Sequence, residues 1–178
     1  MTVIISTCRY RLSEEEFVRP LAGIVEKYGY EVEIRNYKEP FTEESFAPSE
    51  NVIISGTALK DFDYLNYLKN FEWIKDFGGK IIGICAGAQI ISSVFGCRLG
   101  ERKIIGAFDI EVKKETKKGK RRAYFLISKL PELNDNFEVL GRLDDVPVYF
   151  KVKGKEIYGV LFHPEVLNQE LIVEFLGL

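Results

Sequence analysis

The amino-acid sequence predicts an α/β fold: a three-layer sandwich with a mostly parallel central sheet and a small antiparallel extension. Three observations carry this reading. Strand-like and helix-like segments alternate through the first hundred residues, the pattern of a sheet covered on both faces. Strand candidates such as Val3–Ser6 and Lys80–Gly83 are short segments with apolar, β-branched centres, as buried parallel strands are. From Ile104 onward the texture changes to strands flanking a polar, hairpin-like connection.

Taken in order, Val3–Ser6 is a short β-branched run and the first strand. Ser13-Glu-Glu-Glu16 has the form of a capping box and opens a helix predicted to run to about Tyr28. Phe17, Leu21, Ile24, Val25 and Tyr28 fall at helical spacing within it, and Gly29 ends it. Glu31–Asn36 alternates and reads as a second strand. Lys38–Glu50, with two prolines and several acids, reads as loop with one short helical turn. Asn51-Val-Ile-Ile-Ser-Gly56 is a buried strand entering a turn. Phe62–Phe77 carries aromatics and leucines at helical spacing and is closed by Gly78-Gly79. Lys80–Gly83 is another buried strand, and Ala86–Phe95 a helix ended by Gly96. Ile104–Val112 and Arg121–Ile127 read as two strands joined by the polar segment Lys113–Lys120. Phe137–Leu140, Val146–Val152 and Glu156–Phe162 add further strands, and Asn168–Leu176 a closing helix. No repeat, low-complexity linker or internal boundary divides the chain, so residues 1–178 are expected to form a single domain.

Composition narrows the function classes. Apolar residues at 46% and charged residues at 29% describe a globular chain rather than a disordered one. A net charge of −2 gives no reason to seek nucleic acid. No apolar run approaches the roughly 20 residues that span a bilayer. The N-terminus lacks the charged lead-in of a signal peptide, so a cytoplasmic location is expected. Cys8, Cys85 and Cys97 are odd in number and irregularly spaced, which argues against a disulfide framework and against zinc. No metal and no cofactor is implied. Abundant Lys, Glu and Ile are compatible with a thermophilic source, as with a biased genome. His163 is the one histidine in the chain, so any Cys–His chemistry has a single possible base.

The most informative stretch is Lys80-Ile-Ile-Gly-Ile-Cys-Ala-Gly-Ala-Gln89. A buried strand enters Gly83-Ile-Cys85-Ala-Gly87 and a helix leaves it, the G-x-nucleophile-x-G form of a nucleophile elbow with cysteine in place of serine. Gly83 and Gly87 stand where strand and helix must approach closely. The new helix points its amide groups and positive end at the sulfur, which favours thiolate. The Ala86 amide is positioned to donate to an oxyanion. The competing reading is a buried thiol in a tight turn with no chemistry.

The second stretch is Ile157-Tyr-Gly-Val-Leu-Phe-His-Pro-Glu165. A strand delivers His163 at its carboxyl end, the edge where chemistry collects in parallel sheets and where Cys85 also stands. Glu165, two residues on, can turn back to hold one imidazole nitrogen. A surface His-Pro turn is the bland alternative.

Together these stretches resemble the class I glutamine amidotransferases, a flavodoxin-like α/β family. The family's G-I-C-x-G-x-Q elbow is matched by Gly83, Ile84, Cys85, Gly87 and Gln89. Its late G-V-Q-F-H-P-E motif is matched by Gly159, Val160, Phe162, His163, Pro164 and Glu165. Ile54-Ser55-Gly56 fits an earlier strand whose glycine amide contributes to the family's oxyanion hole. The resemblance implies that Cys85 attacks the side-chain carboxamide of glutamine, with His163 as base and Glu165 orienting it. The Gly56 and Ala86 amides would hold the oxyanion and Gln89 would help bind substrate. Ammonia would pass to a separate synthetase subunit. In texture the closest subfamily is the guanylate-synthase amidotransferase subunit. The sequence departs from the pattern at Thr57 and Ala58, which replace a glycine and a proline. It departs again at Leu161, which replaces glutamine, and in lacking a histidine-containing segment before the late strands.

Two alternatives share the fold. A gamma-glutamyl hydrolase would cleave a gamma-glutamyl amide without delivering ammonia. A catalytically idle relative would serve as a binding or regulatory subunit. The basic segment Lys113–Arg122 reads as a solvated hairpin tip, with docking to an acidic surface or a phosphate group as the sharper option. Cys8 sits at the edge of the expected site; Cys97, Phe71, Trp73 and Phe77 read as structural.

Overall fold

The computed structural model describes residues 1–113 and 118–178. Nine strands form one mixed sheet in the order β2-β1-β3-β4-β9-β8-β7-β5-β6. Its parallel half comprises β1 (Thr2–Ser6), β2 (Val32–Asn36), β3 (Asn51–Ile54), β4 (Lys80–Ile84) and β9 (Ile157–Val160). The other half is antiparallel: β5 (Arg98–Lys113), β6 (Lys118–Glu132), β7 (Phe137–Leu143) and β8 (Val146–Val152).

The antiparallel part is therefore not small, which corrects the expected proportions of the sheet. β5 and β6 run for 16 and 15 residues, well past the predicted Ile104–Val112 and Arg121–Ile127. Their outer portions, such as Arg98-Leu-Gly-Glu-Arg-Lys103, expose side chains over most of their length, so no apolar run marks them as strand. Backbone pairing with the partner strand, from Arg98↔Glu132 onward, holds them instead. Residues 114–117 of the predicted hairpin tip lie outside the described residues. Within the basic segment Lys113–Arg122, Arg121 pairs with Glu170 and Glu174, and Arg122 with Asp109.

The predicted first helix is two helices, α1 (Arg11–Phe17) and α2 (Arg19–Lys27). Pro20 has no N–H to give to the carbonyl four residues before it, so the ladder breaks at Val18. The capping box is unused: the helix begins earlier, after Tyr10, and Ser13 lies inside its first turn. The segment Asp63–Lys75 is a run of 3₁₀ turns kinked at Tyr67 rather than a regular α-helix. Its side chains are pinned from outside, Asp63 by the Tyr37 hydroxyl and Tyr64 by Gln89. α3 (Ala86–Val94) stops as predicted, with Gly96 in the left-handed region at φ 86°. A short α4 (Pro164–Leu167) precedes α5 (Gln169–Leu176).

Every residue of β1 is buried, whereas β8 alternates buried and half-buried positions. At the switch between parallel and antiparallel halves, Phe150 of β8 lies over Gly159 of β9; a Cβ there would sit 2.3 Å from the ring. Phe150 also packs edge-on against Phe137 at 5.3 Å between centroids, and Phe125 against Phe162 at 5.8 Å. Burial of each such ring stabilises the fold by roughly 1.5–3 kcal/mol. Among the described residues, no helix is long and apolar enough to cross a membrane.

Candidate active site

Three adjacent strands bring the predicted residues to one edge of the sheet. β3 pairs with β4 through Ile54↔Gly83, and β4 with β9 through Ile84↔Val160. The residues just past these strand ends are Gly56, Cys85 and His163. The Cys85 amide donates to the Val160 carbonyl at 2.8 Å, fixing the nucleophile turn against the strand that leads to the histidine.

Cys85 has φ 50° and ψ −99°, a conformation that costs a non-glycine residue about 1–3 kcal/mol. Its neighbours make that geometry possible. A Cβ on Gly83 would lie 2.4 Å from the Gly87 carbonyl carbon, and one on Gly87 would lie 2.2 Å from the Ile54 oxygen. Strand, helix and adjacent strand thus meet backbone to backbone, as the elbow pattern requires. Gly56 is constrained too: a Cβ there would lie 2.7 Å from His163 Cε1 and 3.4 Å from Cys85 Cβ. That single steric test places glycine, cysteine and histidine at one point.

His163 is 1% exposed and its Nδ1 lies 2.8 Å from Glu165 Oε1, on the first turn of α4. Phe17 and Tyr124 flank the ring at 5.6 and 6.4 Å between centroids. The His163 amide donates to the Tyr124 carbonyl at 2.8 Å, tying the strand end to β6. Burial works against charge on this imidazole, but the Cys85 sulfur and the Glu165 carboxylate outweigh it and push its pKa from 6.5 up to about 10. The imidazole and the sulfur are neighbours yet not joined. Nε2 has no hydrogen-bond partner among the described residues, and the Cys85 thiol points to the Leu126 carbonyl at 3.5 Å.

Ala86 and Gln89 line the same cleft as Cys85, with Thr57, Asp61 and Tyr64. Gln89 is 2% exposed and held at both ends of its amide. The Tyr64 hydroxyl donates to Oε1, and Nε2 donates to the Lys129 carbonyl at 2.8 Å. The Ser128 hydroxyl donates to the Leu59 carbonyl at 3.2 Å, and the Lys129 ammonium stands 4.9 Å over the Phe62 ring. The end of β6 and the loop after Gly56 are laced across the nucleophile, which is 5% exposed. Cys8 lies beneath this loop, its thiol 3.7 Å from the Gly56 carbonyl; burial pushes its pKa up to about 11. Cys97 is buried, and Phe71, Trp73 and Phe77 belong to the core.

Sequence reasoning missed the contributions of Leu126, Lys129 and Tyr64. The first two act through backbone carbonyls, which leave no residue-type signal, and Tyr64 was legible only as an aromatic at helical spacing.

The chain is similar to known proteins in sequence and in fold. The family described as glutamine amidotransferase class-I matches residues 13–176. The chain is 30% identical over 165 residues to a subunit of GMP synthase (glutamine-hydrolyzing) from Pyrococcus furiosus, covering 87% of each. It is 33% identical over 132 residues to the corresponding subunit of Pyrococcus abyssi, covering 69% of each. Among solved structures, a putative GMP synthase subunit from Thermoplasma acidophilum superposes with a TM-score of 0.82 at 20% identity, over 99% of this chain and 93% of that one.

Proposed function

The chain belongs to the class I glutamine amidotransferase family, and on that premise we propose that it is a glutaminase subunit supplying ammonia to a separate synthetase, one that forms GMP. On this reading residues 1–178 act as one cytoplasmic domain, with helices as the outer layers of a three-layer sandwich around the parallel strands.

The mechanism follows from the residues at the strand ends. Cys85 gives its proton to His163 Nε2, and Sγ attacks the glutamine side-chain carbonyl carbon. The amides of Gly56 and Ala86 take the developing oxyanion. Glu165 holds Nδ1, which keeps Nε2 facing the sulfur and stabilises the imidazolium. The imidazolium returns its proton to the amide nitrogen, the C–N bond breaks and ammonia leaves a γ-glutamyl thioester. A water, deprotonated by Nε2, attacks the thioester and releases glutamate with the thiol restored.

The observation that carries the reading is the steric test at Gly56: the backbone that would donate to an oxyanion tolerates no side chain because the imidazole and the cysteine are already there. Glutamine specificity, as against another γ-glutamyl amide, is supported by the relatives in the Pyrococcus species. Gln89 enters as a substrate-binding residue only by releasing Tyr64 or Lys129, to which its amide is bound at rest.

The test is glutamate release from glutamine by the purified chain, with and without a GMP-forming synthetase subunit, beside Cys85→Ala. Release that depends on Cys85 is expected. Release from a γ-glutamyl peptide alone would reassign the chain as a γ-glutamyl hydrolase. No release under any condition would leave an idle binding subunit.

A further inference from the structure

Two buried hydroxyls hold the turn that carries Gly56 from the side away from Cys85. β1 and β3 lie side by side with Ile5 opposite Ile54, and just past their ends Thr7 meets Ser55, both fully buried. The Thr7 amide donates to Ser55 Oγ at 3.1 Å. Ser55 Oγ keeps its own proton for the Gly56 carbonyl, to which it donates at 2.9 Å. The Thr7 hydroxyl stands 3.0 Å from the Ser55 carbonyl and 3.0 Å from the Gly56 carbonyl, so one proton serves two consecutive peptide oxygens. The Gly87 amide, from the first turn of the elbow helix, completes the set by donating to the Ser55 carbonyl at 3.2 Å.

These bonds decide where the amides of the same peptides point. The described peptides are trans, so each N–H lies opposite the carbonyl with which it shares a plane. The Ser55 amide donates to the Ile5 carbonyl on the β1 side. In a continuing strand the Gly56 carbonyl would face the other neighbour, β4. It turns back instead to Thr7 and Cys8 on the β1 side. β4, which leads to Cys85, flanks β3 on the opposite side from β1. The reversal therefore aims the Thr57 amide toward the nucleophile, beside the Gly56 amide. Among the described residues neither amide donates to any group of the fold, and Thr57 lines the cleft with Cys85 and Ala86. Two successive free amides on one side of a turn form a concavity suited to negative charge. Rotation of either plane would put a carbonyl oxygen where the N–H is needed.

We infer that Thr7 is a positioning residue of the reaction: its hydroxyl clamps the peptide planes on both sides of Gly56 and so keeps their amides facing the oxyanion that forms at Cys85. This inference rests on the glutaminase reading above. Thr7 is not among the residues lining the cleft, so it acts through those two planes and not on the substrate or the sulfur. Its part is confined to the step that builds negative charge on oxygen, and that confinement separates it from a residue that merely supports the fold.

The test compares two reactions of the same sulfur on the full chain, with a GMP-forming synthetase subunit present and below the Tm of every variant. Hydrolysis of glutamine passes through an oxyanion; alkylation of Cys85 by iodoacetamide, located by peptide mass spectrometry, is a displacement at a saturated carbon and does not. Thr7→Val keeps the shape of the side chain and removes the hydroxyl. It is expected to lower kcat by about 10- to 100-fold, the cost of a misplaced donor, with KM and the alkylation rate within about threefold of wild type. Thr7→Ser restores the hydroxyl and is expected to bring kcat back within about threefold of wild type. Should Thr7→Val not fold, Ser55→Ala removes the other hydroxyl from the Gly56 carbonyl and is expected to lower kcat in the same way, with KM and alkylation held. A wild-type kcat in the valine and alanine variants overturns the inference and leaves the glutaminase reading standing. Hydrolysis and alkylation that fall together with Tm overturn it too, since Thr7 is then only a staple of the fold. Thr7→Ser as slow as Thr7→Val overturns it by assigning the effect to the methyl group. Wild type that is alkylated at Cys85 yet releases no glutamate removes the glutaminase reading itself, and this inference with it.

Discussion

The two halves of the sheet solve different problems. The parallel half sets the chemistry: three neighbouring strand ends carry Gly56, Cys85 and His163, and their spacing follows from a register of one residue pair per step. The antiparallel half sets access: the end of β6 places the Leu126 and Lys129 carbonyls and the Ser128 hydroxyl around the nucleophile. The first half is held by backbone packing too tight for a methyl group, the second by single hydrogen bonds and side chains at a strand end. Changes in the first should therefore cost fold and chemistry together, and changes in the second should alter entry while leaving both intact.

The largest effect is expected where three backbones meet. Gly87→Ala places a Cβ 2.2 Å from the Ile54 oxygen. It should destabilise the chain by about 3 kcal/mol or more, since backbone cannot yield as a side-chain tip can. A denaturant midpoint close to wild type would mean that the elbow is looser than its geometry states.

Next is the imidazole's partner. Glu165→Gln should lower kcat by about 10²-fold, as loss of an orienting and charge-stabilising group does. Its pH dependence has a definite sign. The carboxylate helps raise His163 to about 10, so the imidazolium's contribution to stability is complete below pH 6.5 and is lost as pH rises through about 10. Removing that charge lowers the value, and the alkaline limb of kcat/KM should move to lower pH. A profile that falls in height without moving would show that Glu165 acts through geometry alone.

A smaller effect is expected across the cleft. Ser128→Ala removes one hydrogen bond to Leu59 and should cost about 1 kcal/mol or less, while iodoacetamide reaches Cys85 faster. An unchanged labelling rate would show that this contact does not limit entry. The smallest belongs to the outer face of β6. Arg121→Ala loses partly exposed pairs with Glu170 and Glu174 and should shift stability by less than about 1 kcal/mol. A larger loss would mean that the hairpin and α5 support each other more than ion pairing explains.

The same division decides what the sequence made legible. The elbow could be read because its requirement is local: two glycines flanking a cysteine at fixed spacing, between an apolar run and a helix. The base could be read because His163 has no competitor in the chain. β1, β3 and β4 announced themselves through their apolar centres, Val3–Ile5, Val52–Ile54 and Ile81–Ile84, since both faces are covered. β5 and β6 did not, because much of their length faces water and carries charge, and only pairing to a distant segment makes it strand. The break at Pro20 had a signal in the residue itself, outweighed by the helical spacing of Phe17, Leu21 and Ile24. The bond between Tyr64 and Gln89 spans 25 residues and no local rule anticipates it. It also removes Gln89 from the freely available groups that the motif suggested.

A chain with one imidazole, buried and bonded to a carboxylate, provides its own spectroscopic probe. The Nδ1 proton between His163 and Glu165 is shielded from solvent exchange and, in such a bond, resonates downfield of the amide envelope. No assignment is needed, because no other histidine exists to be confused with it. The tautomer, the titration and any rearrangement on docking a partner can be followed from one resolved signal in an unlabelled sample.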